Sequence, residues 1–181
     1  VLVTQADVRL TSWTYRALKK ARADEGALLV TATGVTEPQW LEALQADERV
    51  MYGPDGRLSK GGPGYSCFLL TRECHERFPF DEKLTPVYAE DCDSHRRMML
   101  AGEGQRTFGL NVPYLHHGGG TLKAMSPERR AAVQEAARVG AYAHYARKWG
   151  GLPNQEKFIL PFNECDCPTT VYESEAVMRR A

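Results

Sequence analysis

Apolar positions along this chain alternate between short unbroken runs and helical repeats from the first residue onward. Val1-Leu2-Val3, continuing to Val8, reads as a buried parallel strand closed by an acid, Asp7, as strands are where they meet a ligand crevice. Thr11 or Ser12 can cap a helix through Ala23, whose apolar face is Leu10, Trp13, Ala17, Leu18 and Ala21 before Gly26 breaks it. Ala27 to Thr33 is a second buried strand, and Thr36-Glu37-Pro38-Gln39 has the spacing of a capping box opening a helix that carries Trp40, Leu41 and Leu44. Strand, helix, strand, helix predicts a right-handed parallel crossover.

The rhythm then changes. Val50 to Ser59, with the turn pair Asp55-Gly56, reads as a short hairpin or irregular excursion. Gly61-Gly62-Pro63-Gly64 leads into a strand from Tyr65 to Leu70, and such glycine density lets backbone approach backbone or ligand closely. A helical turn over Arg72 to Arg77, an aromatic corner at Phe78 to Glu82, a helix over Glu90 to Ala101 and a strand over Thr107 to Tyr114 follow. Ser126, with Pro127 at the first helical position, opens a long helix to Trp149 with a thin apolar face of Val133, Ala137, Val139, Tyr142, Ala143 and Ala146, expected to lie across the outside of the sheet. The predicted fold is α/β, a mostly parallel sheet flanked by helices over residues 1–151. Residues 152–181 form an extended tail around the same domain, ending in a strand or a short helix at Thr170 to Ala181.

Composition adds limits. A chain of 181 residues with 43% hydrophobic content can bury one sizeable core. Its 23 basic and 23 acidic residues balance, so no global field attracts nucleic acid or a membrane surface. Five cysteines without regular spacing suit a reducing cytoplasm, where the protein is expected. Cys165-Asp166-Cys167 is the one close pair, which gives a zinc site as a minor alternative to two ordinary thiols.

Chemistry concentrates at Glu90-Asp91-Cys92-Asp93, three carboxylates in four residues at a helix start. The helix dipole and unpaired N–H groups accept acids there, and that is the plain reading. The sharper reading makes Asp91 a general base at a strand-to-helix junction. Asp7 has the same two readings, helix cap or ligand. His116-His117-Gly118-Gly119-Gly120 adds a histidine before glycines, of which His116 is favoured as a ligand on spacing.

Taken in order, these features resemble the GT-A glycosyltransferases, and within them the inverting family-two group. Gln5-Ala6-Asp7 matches the reduced form of that family's strand-ending acidic motif, and Phe80-Asp81-Glu82 its G-x-F-D-E corner without the glycine. Glu90-Asp91-Cys92-Asp93 with Arg97 resembles its E-D-x-D-x-x-x-R, and His116 to Thr121 its H-x-G-G-x-T. Lys148-Trp149-Gly150-Gly151, Glu156 and Pro161-Phe162 are similar to a C-terminal segment of some members, small phage-encoded ones included.

The resemblance implies a nucleotide-sugar donor, with UDP favoured, and a manganese or magnesium ion held by Asp7 and His116. It makes Asp91 the base, with Glu90 orienting the acceptor or the helix start. Gly61, Gly62, Gly64 and Tyr65 are expected to line the donor sugar and acceptor entry, with Arg97, Lys148 and Trp149 as further donor or acceptor contacts. The hydroxyl acceptor is left open among glycans, lipid-linked sugars, proteins and hydroxymethylated bases of phage DNA. Only six residues precede Asp7, where the family places its nucleotide-binding half, so that half is expected to be absent from this chain. Val1 to Val3 and Leu28 to Val30 then become an apolar sheet edge open to association. The alternative is a GT-A-like lobe without catalysis, acting as a binding or assembly module.

Overall fold

A computed structural model of the chain describes residues 1–45, 60–61, 64–85, 88–116 and 120–159. These form two compact units, Val1–Pro79 with Ala101–Ala124, and Phe80–Leu100 with the chain from Met125 onward. The fold is α/β. Among the described residues no helix is long and apolar enough to cross a membrane. The Val50 to Ser59 excursion, the Cys165–Cys167 pair, Pro161-Phe162 and the end of the expected tail lie outside the described residues.

The first unit is built on a mixed sheet. Its strands are β1 (Leu2–Thr4), β2 (Val8–Leu10), β3 (Leu29–Val35), β4 (Lys60–Gly61), β5 (Cys67–Leu70) and β6 (Thr107–His116). They follow the order β1-β5-β3-β6-β2, with β4 also on β6, and only β3 and β6 run parallel among the described pairings. The sheet is therefore not the mostly parallel one expected. All four residues of β5 are buried, so each edge of that strand needs a hydrogen-bonding neighbour, and it takes β1 on one side and β3 on the other. Insertion of β5 separates β1 from β3 and removes the predicted crossover between adjacent strands. It also covers Leu29 to Thr31, which pair on both sides rather than forming an open edge.

The opening run differs as well. In place of a single buried strand over Val1 to Val8, the chain turns at Ala6 and Asp7 and serves two places in the sheet. Val1 and Val3 stay exposed. Helix α1 (Thr14–Glu25) has Trp13 at its N-cap position, one or two residues past the expected caps, and Thr11 donates its N–H to Thr14 Oγ1 instead of capping the helix itself. Its face is as predicted except for Leu10, which ends β2 instead, with Trp13, Ala17, Leu18 and Ala21 packed on Val30, Ala32, Leu69, Phe108, Leu110 and Val112. Gly26 ends it at φ 61°, a conformation that glycine adopts without steric cost. Helix α2 (Glu37–Gln45) opens with the expected cap, Thr36 N–H donating to Gln39 Oε1 at 3.0 Å, but buries Trp40 and Ala43 and leaves Leu41 and Leu44 exposed. Helix α3 (Arg72–Arg77) is capped by the Thr71 hydroxyl, and a short α5 (Gly120–Lys123) follows β6.

In the second unit α4 (Glu90–Leu100) carries the acidic first turn. The long helix is α6 (Pro127–Ala137), a π-helical stretch Arg138–Tyr142, and α7 (Ala143–Trp149), stopped by Gly150 at φ 75°. Its buried face is not the thin stripe expected. Ala137, Ala141, Tyr145 and Trp149 are buried at intervals of four, while Val139 is exposed. A plain α-helix drifts off line at that spacing, and the wider π turn takes up the drift. Ala141, Tyr145 and Trp149 pack with Leu84 and Ala89 as this unit's core. A Cβ on Gly140 would lie 3.1 Å from the Thr85 carbonyl oxygen, so the glycine admits close backbone approach there.

Candidate functional site

The antiparallel register of β2 on β6 sets Val8 opposite His116, so the residue before Val8 and the last residue of β6 meet at one end of the sheet. Asp7 Oδ1 lies 3.4 Å from His116 Nε2, with both side chains partly open, at 22% and 28% exposure. The other ring nitrogen, Nδ1, is 3.4 Å from Ser66 Oγ. The two residues expected as metal ligands, from distant parts of the sequence, are thus neighbours. Two ligands sharing a small divalent ion at about 2.1 Å and near-octahedral angles sit about 3 Å apart, so this oxygen–nitrogen pair fits such an ion as part of its shell. Among the described residues there is no group of three or more His, Cys, Asp or Glu that could hold a metal by itself. On the described residues alone, the rest of an ion's shell would fall to other donors. His117 lies outside the described residues.

The glycine segment is placed in part. Gly61 belongs to β4 and pairs with Gly109, and Gly62 is outside the described residues. Gly64 donates its N–H to Thr31 Oγ1 at 2.9 Å, and a Cβ there would stand 3.2 Å from the Ala32 carbonyl oxygen. Its lack of a side chain lets this segment lie against β3. Tyr65 sets its ring against Phe68.

In the second unit Glu90 and Asp91 open α4 behind two residues in an unusual conformation. Tyr88 and Ala89 have φ of 76° and 72°, left-handed values that non-glycine residues seldom adopt and that cost about 1–3 kcal/mol each. Tyr88 stacks on Tyr142 of the π-helical stretch, with centroids 5.8 Å apart. Glu90 Oε2 is buried with no hydrogen-bond partner among the described residues. Burial, and then the Asp91 charge, push the Glu90 carboxyl above the ordinary glutamate range. Asp91 Oδ1 accepts the Cys92 N–H at 2.7 Å. Burial and the nearby Asp91 also raise the Cys92 thiol to about 12, which leaves it inert as a nucleophile at neutral pH. His95 is lowered by burial, against the pull of Asp91.

Asp93 does something else. Its carboxylate is fully buried and takes Lys148 Nζ at 2.7 Å, Trp149 Nε1–H at 2.8 Å and Arg97 Nε–H at 2.9 Å. Lys148 also donates to Asp81 Oδ2 at 2.8 Å, where His144 Nε2 lies at 3.0 Å. Burial alone would raise the Asp81 carboxyl, but Lys148, His144 and the Lys83 N–H outweigh it and hold it well below the usual carboxylate range. Arg97, Lys148 and Trp149, expected at donor or acceptor, are therefore partners of a buried carboxylate, and Trp149 is a core side chain with no exposed surface.

Sequence reasoning does not reach Ser66, Tyr88 or Tyr142 as site residues. For Ser66 no signal exists, since only the long-range pairing brings it to His116. Tyr142 does stand on the predicted helix, but nothing in the residue types announces a π turn. No protein-family model matches the chain, and no curated protein and no solved structure matches it.

Proposed function

We propose that this chain carries the chemistry of an inverting, metal-dependent glycosyltransferase of GT-A type, moving a sugar from a nucleotide-sugar donor, UDP-linked by preference, to a hydroxyl acceptor. The observation that supports the reading most is the Asp7–His116 pair at 3.4 Å, because the motif order alone marks these two residues as ligands and nothing in their sequence separation requires them to meet. On this reading Asp7 and His116 hold manganese or magnesium, which neutralises charge on a leaving diphosphate.

Asp91 takes the proton of the acceptor hydroxyl. As that O–H bond breaks, the oxygen attacks the anomeric carbon, the carbon–diphosphate bond breaks with its electron pair on the diphosphate, and configuration inverts in one displacement. Glu90, at the same helix start, orients the acceptor or the helix start itself. Strain at Tyr88 and Ala89 is of the kind kept where a side chain must be aimed, and supports a working role for the residues that follow.

Asp91→Asn tests the reading. With UDP-sugars, manganese and a panel of hydroxyl acceptors, including glycans and DNA with hydroxymethylated bases, the variant should lose about 100-fold or more in turnover while binding donor as before. A variant that matches the wild type in every assay, with no transfer by either, supports the binding or assembly module instead.

A further inference from the structure

Ser66 stands at the centre of the Asp7–His116 arrangement without being a ligand candidate itself. Its carbonyl oxygen accepts the Gln5 N–H at 3.0 Å, which fixes the backbone two residues before Asp7. Its hydroxyl oxygen lies 3.4 Å from His116 Nδ1, and the Tyr114 hydroxyl also hydrogen-bonds this residue. Tyr114 and His116 have their rings 6.3 Å apart on the same strand, and Tyr114 is buried. One half-buried serine therefore touches the segments that carry both members of the pair.

Hydrogen-bond chemistry gives its hydroxyl a particular use. A carboxylate beside a neutral imidazole draws a proton onto the nearer nitrogen, so in the metal-free protein Nε2–H donates to Asp7 and Nδ1 is left as an acceptor. A metal on Nε2 reverses this, since the lone pair must face the ion and the ring proton then resides on Nδ1. The group beside Nδ1 has to donate in the first state and accept in the second. A hydroxyl does both by rotating about its C–O bond; a carbonyl only accepts, and an ammonium only donates.

We infer that Ser66 is the positioning residue of the Asp7–His116 site, its hydroxyl holding the His116 ring in place through Nδ1 in both states and switching from donor to acceptor when Nε2 takes a divalent cation. The inference rests on the metal reading for the second state only. In the first state it concerns this chain's own residues.

The test combines nitrogen-15 NMR of the histidine ring with calorimetric titration of Mn2+ alone, on the wild type, Ser66→Ala and Ser66→Thr. At a pH where the ring is neutral, metal-free wild type should carry the His116 proton on Nε2. Zn2+, as a diamagnetic probe that imidazole accepts, should move it to Nδ1. Ser66→Ala should give a mixture of tautomers without metal and bind Mn2+ about 10–100-fold more weakly, the usual loss when the partner of a metal-bound histidine is removed. Ser66→Thr, which keeps the hydroxyl, should restore both. Equal Mn2+ affinity in wild type and Ser66→Ala, or a metal-free tautomer that the substitution leaves unchanged, overturns the inference. If wild type takes no Mn2+ at all, the metal reading fails, and the metal-free tautomers of the folded variants still decide whether the hydroxyl holds the ring. Should Ser66→Ala not fold, a wild-type His116 that carries its proton on Nδ1 without metal overturns it by itself.

Discussion

Asp7 on the sheet and Asp93 on α4 are both carboxylates beside nitrogen groups, and the difference in how they are satisfied separates the proposed site from a strut. Asp93 has no exposure and four nitrogen contacts from three residues at 2.7–2.9 Å. Every direction around it is filled, so it has no capacity left for a ligand. Asp7 is partly open and meets His116 at 3.4 Å, a longer and looser contact than any that Asp93 makes. Residue type alone does not make this distinction, since an acid at a helix start or a strand end reads the same in either case. Geometry and burial make it.

The largest effect expected from breaking the comparison is on Asp93. Asp93→Ala removes the anion and leaves Lys148 with only Asp81, and the Trp149 N–H and the partly buried Arg97 head without that acceptor. Loss of one member of a buried ion pair costs about 3–5 kcal/mol. Urea denaturation should show that loss, with metal binding by the folded fraction unaffected. A cost below about 1 kcal/mol would mean that the buried network is not what holds α4 to α7.

Asp81 sharpens the picture through pH. Its folded carboxyl is depressed, so its contribution is complete above the unfolded carboxylate value of about 3.9 and is lost as pH falls through the lower folded value. Asp81→Asn should therefore destabilise by about 1.5–3 kcal/mol at pH 7, the range for hydrogen bonds to a charged group. The difference from wild type should shrink only below about pH 4. A gap independent of pH would point to packing rather than charge as the source.

The smallest stability effect belongs to the residue with the largest expected functional one. Asp7→Ala should change unfolding free energy by no more than about 1 kcal/mol, the upper range even for solvent-reached charged contacts. A larger change, read by the same denaturation, would place Asp7 among the struts with Asp93.

Local punctuation is legible in the sequence. Gly26 and Gly150 stop helices at positive φ where the sequence predicts a stop, Ser126 caps as its spacing predicts, Gln39 reaches back to the Thr36 N–H as a capping box requires, and most of the α1 face follows its periodicity. These features depend on neighbours a few residues away. The position of β5 between β1 and β3 depends on residues more than thirty apart, and no local period encodes it. The split of the first run into β1 and β2 follows from the same long-range pairing. At the site, Asp7 and His116 are legible as residue types in a family-like order, while Ser66 becomes visible only through register. Asp93 shows the converse limit. An acid in a helix's first turn is ordinarily solvated, and its burial here depends on Lys148 and Trp149 arriving from a helix some fifty residues later.

The most direct measurement is calorimetric titration of Mn2+ and UDP, separately and together, into the chain and into Asp7→Ala. The account predicts Mn2+ binding by the wild type, tighter when UDP is present, and its loss in Asp7→Ala with the fold intact. Equal binding by the two proteins, or no metal-dependent binding by folded wild type, would contradict it and leave the Asp7–His116 pair as an ordinary contact at the end of a sheet.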